Sequence, residues 1–305
     1  MTGSSLRTRY LGLDLSGPII ESASPLTSRV ASLRELQDAG VSAVVLPSLF
    51  AEDAEVGDGE FHRLLTLLDQ ARNELTIPVL ASVNAVHPGA WQDQAAALVA
   101  AGADAVELNV YRVAADPADD CCGILDDTAE LVAGLRGRLG VPLTVKLTPY
   151  WTSLPQTSRR LVDAGAAGLV LFNSFRAPEI DLDELRLTPR VVATTSEDLG
   201  LSLRWVGILR PLLKSTSLAV TGGVHTGTDV LKAVIMGADV ACTASALLEH
   251  GPGHVRRMLA DVAEWLSEND YDNLDQLRGL MSAEHTPFPA ANERAHYRAN
   301  ITSQG

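Results

Sequence analysis

LVAAGADAVEL (98–108) decides the fold. It reads as the last turns of an amphipathic helix, a glycine stop, a short turn and a strand with no polar face. The same pattern recurs as LQDAGVSAVVL (36–46), LVDAGAAGLVL (161–171) and VIMGADVACT (234–243), with Gly40, Gly102, Gly165 and Gly237 spaced 62, 63 and 72 residues apart. Glycine ends a helix in the left-handed backbone conformation without a steric penalty. Apolar runs of this kind belong to parallel strands covered on both faces. Four further strands lie between these units, in GPIIESASP (17–25), IPVLASV (77–83), VPLTVKL (141–147) and SLAVTGG (217–223). Proline near a strand start is tolerated because no ladder bond there needs its N–H. Strands are therefore expected near 19–22, 43–47, 79–83, 105–109, 143–147, 168–172, 217–221 and 240–243, with helices near 29–39, 61–74, 91–101, 124–139, 153–164, 203–213, 227–236 and 252–268.

Alternation over eight units predicts an α/β chain closed into a (β/α)8 TIM barrel as one domain. An open doubly wound sheet would carry G-x-G-x-x-G at its first turn, which is absent. Residues 1–270 are assigned to the barrel and 271–305 to a C-terminal tail packed on it, with a helix near 290–299. One long polar connection, 175–203, is expected to cover the active site.

Composition narrows the function classes. Of 305 residues 46% are apolar and 20% charged, which excludes a disordered chain. Aromatic residues are 5%, so Val, Leu, Ile and Ala must build the core. No uncharged apolar run is long enough to span a bilayer, and MTGSSLRTRYLGLDLSG lacks the apolar stretch of a secretory signal. Three cysteines, Cys121 and Cys122 adjacent, make no disulfide framework, so a reducing cytoplasm is the expected compartment. A net charge of −14 without a basic cluster speaks against nucleic acid or an anionic membrane as partner. A small-molecule substrate remains.

In a barrel the chemistry gathers at the C-terminal ends of the strands. In strand order these positions hold Ser22-Ala23-Ser24, Pro47-Ser48, Asn84, Asn109, Lys146, Asn173-Ser174, Thr221-Gly222-Gly223 and Thr243-Ala244-Ser245. The ring is amide-rich with one cation. Lys146 ends an apolar strand, where an ammonium needs an anion or a polar cavity. Two residues before Asn109 stands Glu107, on the same face and next to the Lys146 strand, so it is a candidate partner. Gly222 and Gly223 admit an anion close to backbone N–H groups, and Ala244-Ser245 repeats the feature after the eighth strand. Together they predict a phosphate site. Asn84, Asn109 and Asn173 offer the donors and acceptors that a heterocycle such as a flavin or a pyrimidine presents. No His-x-His or Cys-x-x-Cys spacing points to a metal.

These residues resemble the dihydroorotate dehydrogenase family, FMN-containing barrel enzymes of pyrimidine synthesis. The most specific pieces are ELN (107–109), VKLTPY (145–150), FNS (172–174), TGGVHTGTD (221–229) and TASALLEHGP (243–252), and the resemblance is to the cytosolic class 1 enzymes. It implies that Ala23 and Ser24 lie near the flavin, that Lys146 stabilises charge on the reduced ring, and that Gly222, Gly223, Ala244 and Ser245 hold the phosphate. Ser48, Asn84, Asn109 and Asn173 complete the cofactor shell, and Asn109, Asn173 and Ser174 face the substrate. It also implies a homodimer and, in one class, a separate electron-transfer partner.

The sequence departs from the family where the proton is removed. The family carries N-x-S-C-P-N or N-x-S-S-P-N after the fourth strand, the Cys or Ser being the base; here the stretch is Asn109-Val110-Tyr111-Arg112-Val113-Ala114. Arg112 stands at the base position and cannot deprotonate near neutral pH. It is a candidate clamp for a substrate carboxylate, and Tyr111, His87 or a loop cysteine is the candidate replacement base. Pro47 replaces a lysine usual after the second strand. The expectation is a divergent dihydroorotate dehydrogenase-like FMN oxidoreductase. The alternatives are a non-redox barrel enzyme acting on a phosphorylated small molecule and a flavin-binding subunit without catalysis.

Overall fold

A computed structural model describes residues 5–174, 178–188, 192–285 and 289–302. The chain opens with a hairpin, β1 (Thr8–Tyr10) and β2 (Leu13–Leu15). The barrel follows: β3 (Ile19–Glu21), α1 (Val30–Ala39), β4 (Ala43–Phe50), α2 (Ala51–Val56), α3 (Gly59–Glu74), β5 (Val79–Asn84), α4 (Trp91–Ala100), β6 (Ala105–Asn109), α5 (Cys121–Arg136), β7 (Leu143–Leu147), α6 (Leu154–Asp163) and β8 (Gly168–Leu171). A second hairpin, β9 (Glu179–Asp181) and β10 (Arg186–Thr188), precedes α7 (Leu199–Leu209), β11 (Ser217–Thr221), α8 (Gly227–Met236), β12 (Val240–Thr243), α9 (Ser245–His250), α10 (His254–Glu268) and α11 (Pro289–Thr302).

The eight expected strands close into one parallel barrel in the order β3-β4-β5-β6-β7-β8-β11-β12. The repeated glycines do what the pattern requires: Gly40, Gly102, Gly165 and Gly237 take φ of +103°, +111°, +109° and +116°. Two helices differ from expectation in extent. The helix expected near 124–139 begins at Cys121, because the Asp120 side chain accepts the N–H groups of Cys122 and Gly123 and caps it. The helix expected near 203–213 begins at Leu199, after a capping box between Thr195 and Asp198.

Two apolar layers hold the barrel. Alternate strand residues such as Val44, Val106, Val145 and Leu169 face the helices, while Ile20, Val45, Leu80, Val170, Ala219 and Cys242 fill the inside. The first hairpin closes the floor. Tyr10, Leu11 and Leu15 join the inner layer, the Leu11 N–H donates to Ser217 Oγ at 2.8 Å, and Tyr10 Oη lies 3.3 Å from Thr144 Oγ1. Leu11 sits at φ +54° beside Gly12 at +80°, a two-residue turn that costs a leucine strain and is retained because its side chain seals the barrel.

The segment after α10 is fastened below the barrel. Leu274 and Leu277 are fully buried. Asp239 accepts from Arg210 Nη2 and from the Leu218 N–H, each at 2.7 Å, and Arg278 Nε lies 3.1 Å from its other oxygen. Among the described residues no helix is long and apolar enough to cross a membrane.

Gly168 carries the floor's tightest constraint. A Cβ there would meet Leu11 Cδ2 at 2.5 Å and Ser217 O and Thr144 Oγ1 at 3.1 Å each. Gly168→Ala should lower stability by about 1–3 kcal/mol in urea unfolding. Gly200→Ala, with open space around it at the start of α7, should not lower it. Equal effects would show that the floor is not packed as described.

Candidate active site

The barrel mouth encloses a cavity of about 400 Å³. Ser22, Ala23, Lys146, Asn173, Gly222 and Ser245 are among its walls, brought there by five different strands and the turns that follow them. Strand register aligns the polar edge: Asn84 pairs with Asn109, and Asn109 with Lys146.

Lys146 is buried, and its Nζ lies 3.3 Å from Glu107 Oε1 on the neighbouring strand. This is the partner that the two-residue spacing to Asn109 anticipates. Either charge alone in the barrel would be strongly destabilising, and the pair makes both tenable. An ammonium has three donors. Among the described residues Glu107 takes one, so two remain for a ligand in the cavity. Asn173 Nδ2 donates to Asn109 Oδ1 and to the Val110 carbonyl, each at 3.2 Å, while Asn173 Oδ1 is buried and without a partner among the described residues. Cys242 also lines the cavity. Burial pushes its thiol up to about 12, against the pull of Lys146, so it is no nucleophile near neutral pH.

At the other end of the cavity the glycines divide their work. Gly222, at φ +82°, has no heavy atom within 4 Å of the place a Cβ would occupy, so its backbone is open to the cavity. Gly223 is closed: a Cβ would lie 2.8 Å from Thr195 O, and its N–H donates to Thr194 Oγ1 at 3.2 Å. The Thr194 N–H and hydroxyl both donate to Ser245 Oγ at 3.1 Å. The N-terminus of α8 is satisfied internally, because Asp229 accepts from the His225 and Thr226 N–H groups and from the Ser196 hydroxyl. The open donors of the cradle therefore belong to Gly222 and the Ala244-Ser245 turn.

A second cavity, of about 540 Å³, lies over the ends of β6 and β7 and shares Tyr150 with the first. Arg112, Val113, Cys121, Ile124 and Trp151 line it. Arg112, the candidate clamp for a substrate carboxylate, lines this cavity with part of its guanidinium already paired. Its Nη1 lies 3.0 Å from Asp127 Oδ2 and its Nη2 3.4 Å from Asp119 Oδ1. Tyr111 is half-buried and lines neither cavity, His87 is exposed, and Ser174 is exposed at the rim of the mouth. Cys121 does reach the second cavity, whereas Cys122 is exposed with its thiol pushed up by the hydrogen bond to Cys121. Ser48 Oγ lies 2.7 Å from Ser82 Oγ, and Asn84 closes the neighbouring strand.

Curated relatives share this architecture's sequence. The chain is 28% identical to the putative dihydroorotate dehydrogenase A (fumarate) of Aeropyrum pernix over 72% of each chain. It is 24% identical to the dihydroorotate dehydrogenase B (NAD(+)) catalytic subunit of Methanothermobacter thermautotrophicus over 90% of this chain and 98% of that one. The chain is a divergent relative of the dihydroorotate dehydrogenases. No family model matches it. It is also 24% identical to the chloroplastic dihydropyrimidine dehydrogenase (NADP(+)) of Arabidopsis thaliana, over 62% of this chain, and spans about half of that longer protein.

In this dihydroorotate dehydrogenase relative, three features of the mouth are not legible from strand-end residues. Thr194 enters the cradle from the long connection, across 29 residues from Gly223. Cys242 faces inward from the middle of a run that reads as uniformly apolar. Glu21 ends β3 fully buried. Ser24 Oγ donates to Glu21 Oε1 at 2.7 Å and also accepts the Leu26 N–H, so Ser24 turns its hydroxyl to the fold; Glu21 Oε2 is buried and without a partner among the described residues.

Burial pushes the Glu21 carboxyl up to about 8, with the Ser24 bond opposing. The unfolded chain titrates near the ordinary carboxylate value, so between about pH 4.5 and 8 the native state binds the extra proton. Stability should therefore fall as pH rises through this window, by on the order of a few kcal/mol from this group. Glu21→Gln should flatten that slope in urea unfolding followed at pH 5.5 and 8 (about the two ends of the window). An unchanged slope would show that Glu21 is not the group responsible.

Proposed function

We propose that this chain is an FMN-dependent oxidoreductase acting on a CH–CH group of a small molecule. The observation that carries it is Lys146: a buried ammonium with two unspent donors, in one cavity with an open glycine backbone. The mouth fits the cofactor chemically. Gly222 and the Ala244-Ser245 turn offer backbone donors to a phosphate, and Lys146 offers a cation to an electron-rich ring edge. The orphaned Asn173 Oδ1 is an acceptor for a heterocycle N–H. FMN bound there would supply a two-electron acceptor.

The protein's own part is electrostatic and positional. Glu107 holds the Lys146 ammonium in place, and the ammonium keeps positive charge where negative charge would develop. Asn109 and Asn173, locked to one another, present a fixed amide edge to the substrate. Ala23 and Ser174 line the same cavity, while Ser48 lies within β4 and Asn84 closes β5. A separate electron-transfer subunit is the natural partner by analogy with the relative named as a catalytic subunit. A non-redox barrel enzyme would need an acid–base pair reaching the cavity; Glu107 is spent on Lys146, and Glu21 is not among the residues lining it.

The purified protein should show the visible absorption bands of oxidised flavin or acquire them with added FMN. Removing both charges together, with Lys146→Met and Glu107→Gln, avoids leaving either buried alone. This double variant should keep the thermal unfolding transition and bind FMN at least about tenfold more weakly, or about 1.4 kcal/mol. A protein that stays colourless and takes up no FMN, or a double variant with unchanged affinity, overturns the proposal.

A further inference from the structure

The second cavity carries a statement about what it holds. Its floor is made by Val110, Thr148, Ile124 and Trp151, and the exposed Val113 and Tyr150 stand at its edge. Apolar surface therefore dominates the lining. A ring with an ionised substituent would need a free counter-charge here, because an unpaired ion in an apolar site is costly. The loop and the first two turns of the helix that form the cavity are rich in charge, and each charged side chain there already has a partner.

Arg112 divides its guanidinium between Asp119 and Asp127. Asp126 is engaged by Arg160 at 2.6 Å. Asp120 caps α5 through the Cys122 and Gly123 N–H groups, and Asp116 accepts the Ala118 N–H at 2.8 Å. Of the five aspartates between 116 and 127, two contact Arg112, one pairs with Arg160 and two accept backbone N–H groups. An anion entering the cavity would meet a guanidinium outnumbered by carboxylates. A cation would meet carboxylates already held by Arg112, Arg160 or backbone N–H groups and would compete with those bonds.

We propose that the cavity over the ends of β6 and β7 binds an uncharged, largely apolar ring compound and excludes carboxylates. Tyr150 joins it to the mouth, so its occupant lies beside the Lys146 cavity. That this occupant is the substrate rests on the flavin reading above; the binding preference does not. The family's own substrate class, a ring carrying a carboxylate, is then refused by this chain.

Three probes share one ring and differ in charge: 1-naphthylmethanol, 1-naphthoate and 1-naphthylmethylammonium. Titrated calorimetrically into the protein as purified, 1-naphthylmethanol should bind at least about tenfold tighter than either ion, or about 1.4 kcal/mol. Ala114→Trp, on the exposed loop lining the cavity, should abolish that binding and leave flavin content unchanged. Asp119→Asn with Asp127→Asn frees Arg112 and should strengthen 1-naphthoate binding about tenfold without changing that of 1-naphthylmethanol. Equal or tighter binding of either ion by the unaltered protein overturns the proposal, as does 1-naphthylmethanol binding that survives Ala114→Trp. Anaerobic bleaching of bound flavin by dihydroorotate would support the flavin reading and overturn this occupant as the substrate, leaving the binding preference to the titrations. A colourless protein that still prefers 1-naphthylmethanol would overturn the flavin reading and support the binding preference.

Discussion

A lysine and a glutamate side by side inside the barrel set the terms for everything at its mouth. Two charges taken out of water are tenable only as a pair, and the pair uses one of the ammonium's three donors. The rest of that hydrogen-bonding capacity points at whatever occupies the cavity. The register of β5, β6 and β7 makes the arrangement rigid, because Asn84, Asn109 and Lys146 are neighbours in one hydrogen-bonded row. Below them, Tyr10 and Leu11 close the barrel from the opposite end, so the mouth is its working face.

Charge is distributed to match. The chain carries a net −14, yet the cavity at the mouth is built around a cation and backbone donors. The acidic residues adjoining the site are spent on arginines and on capping α5. On the proposed reading the mouth takes a ligand with a phosphate and an electron-rich ring, and the neighbouring cavity one with no charge. Behind this separation stands Arg112, which lines the second cavity. An arginine there needs counter-charges, and Asp119 and Asp127 supply them.

Much of this was legible in residue order. The glycine-terminated repeat predicts four of the eight strands because it combines two strong local rules, the left-handed stop and the apolar parallel strand. Lys146 and Glu107 could be paired on paper because side chains alternate along a strand. What escaped depends on distance along the chain. Thr194 reaches Gly223 and Ser245 from a long connection whose course no periodicity encodes. The partners of Arg112 lie 7 and 15 residues away, on a loop and on the helix after it, so their convergence is tertiary. Glu21 is a charged residue by composition and a buried one by structure, and only the helix layer around β3 makes that difference. The short hairpin at the start has too few residues for a pattern, yet it closes the floor.

The central claim is that one ammonium and one open glycine grip opposite ends of the same ligand. A crystal structure grown with FMN tests it most directly. The phosphate should lie against the Gly222 and Ser245 backbone, with the ring edge at Lys146 Nζ. A flavin seated elsewhere, or a well-ordered mouth that takes none, would contradict it.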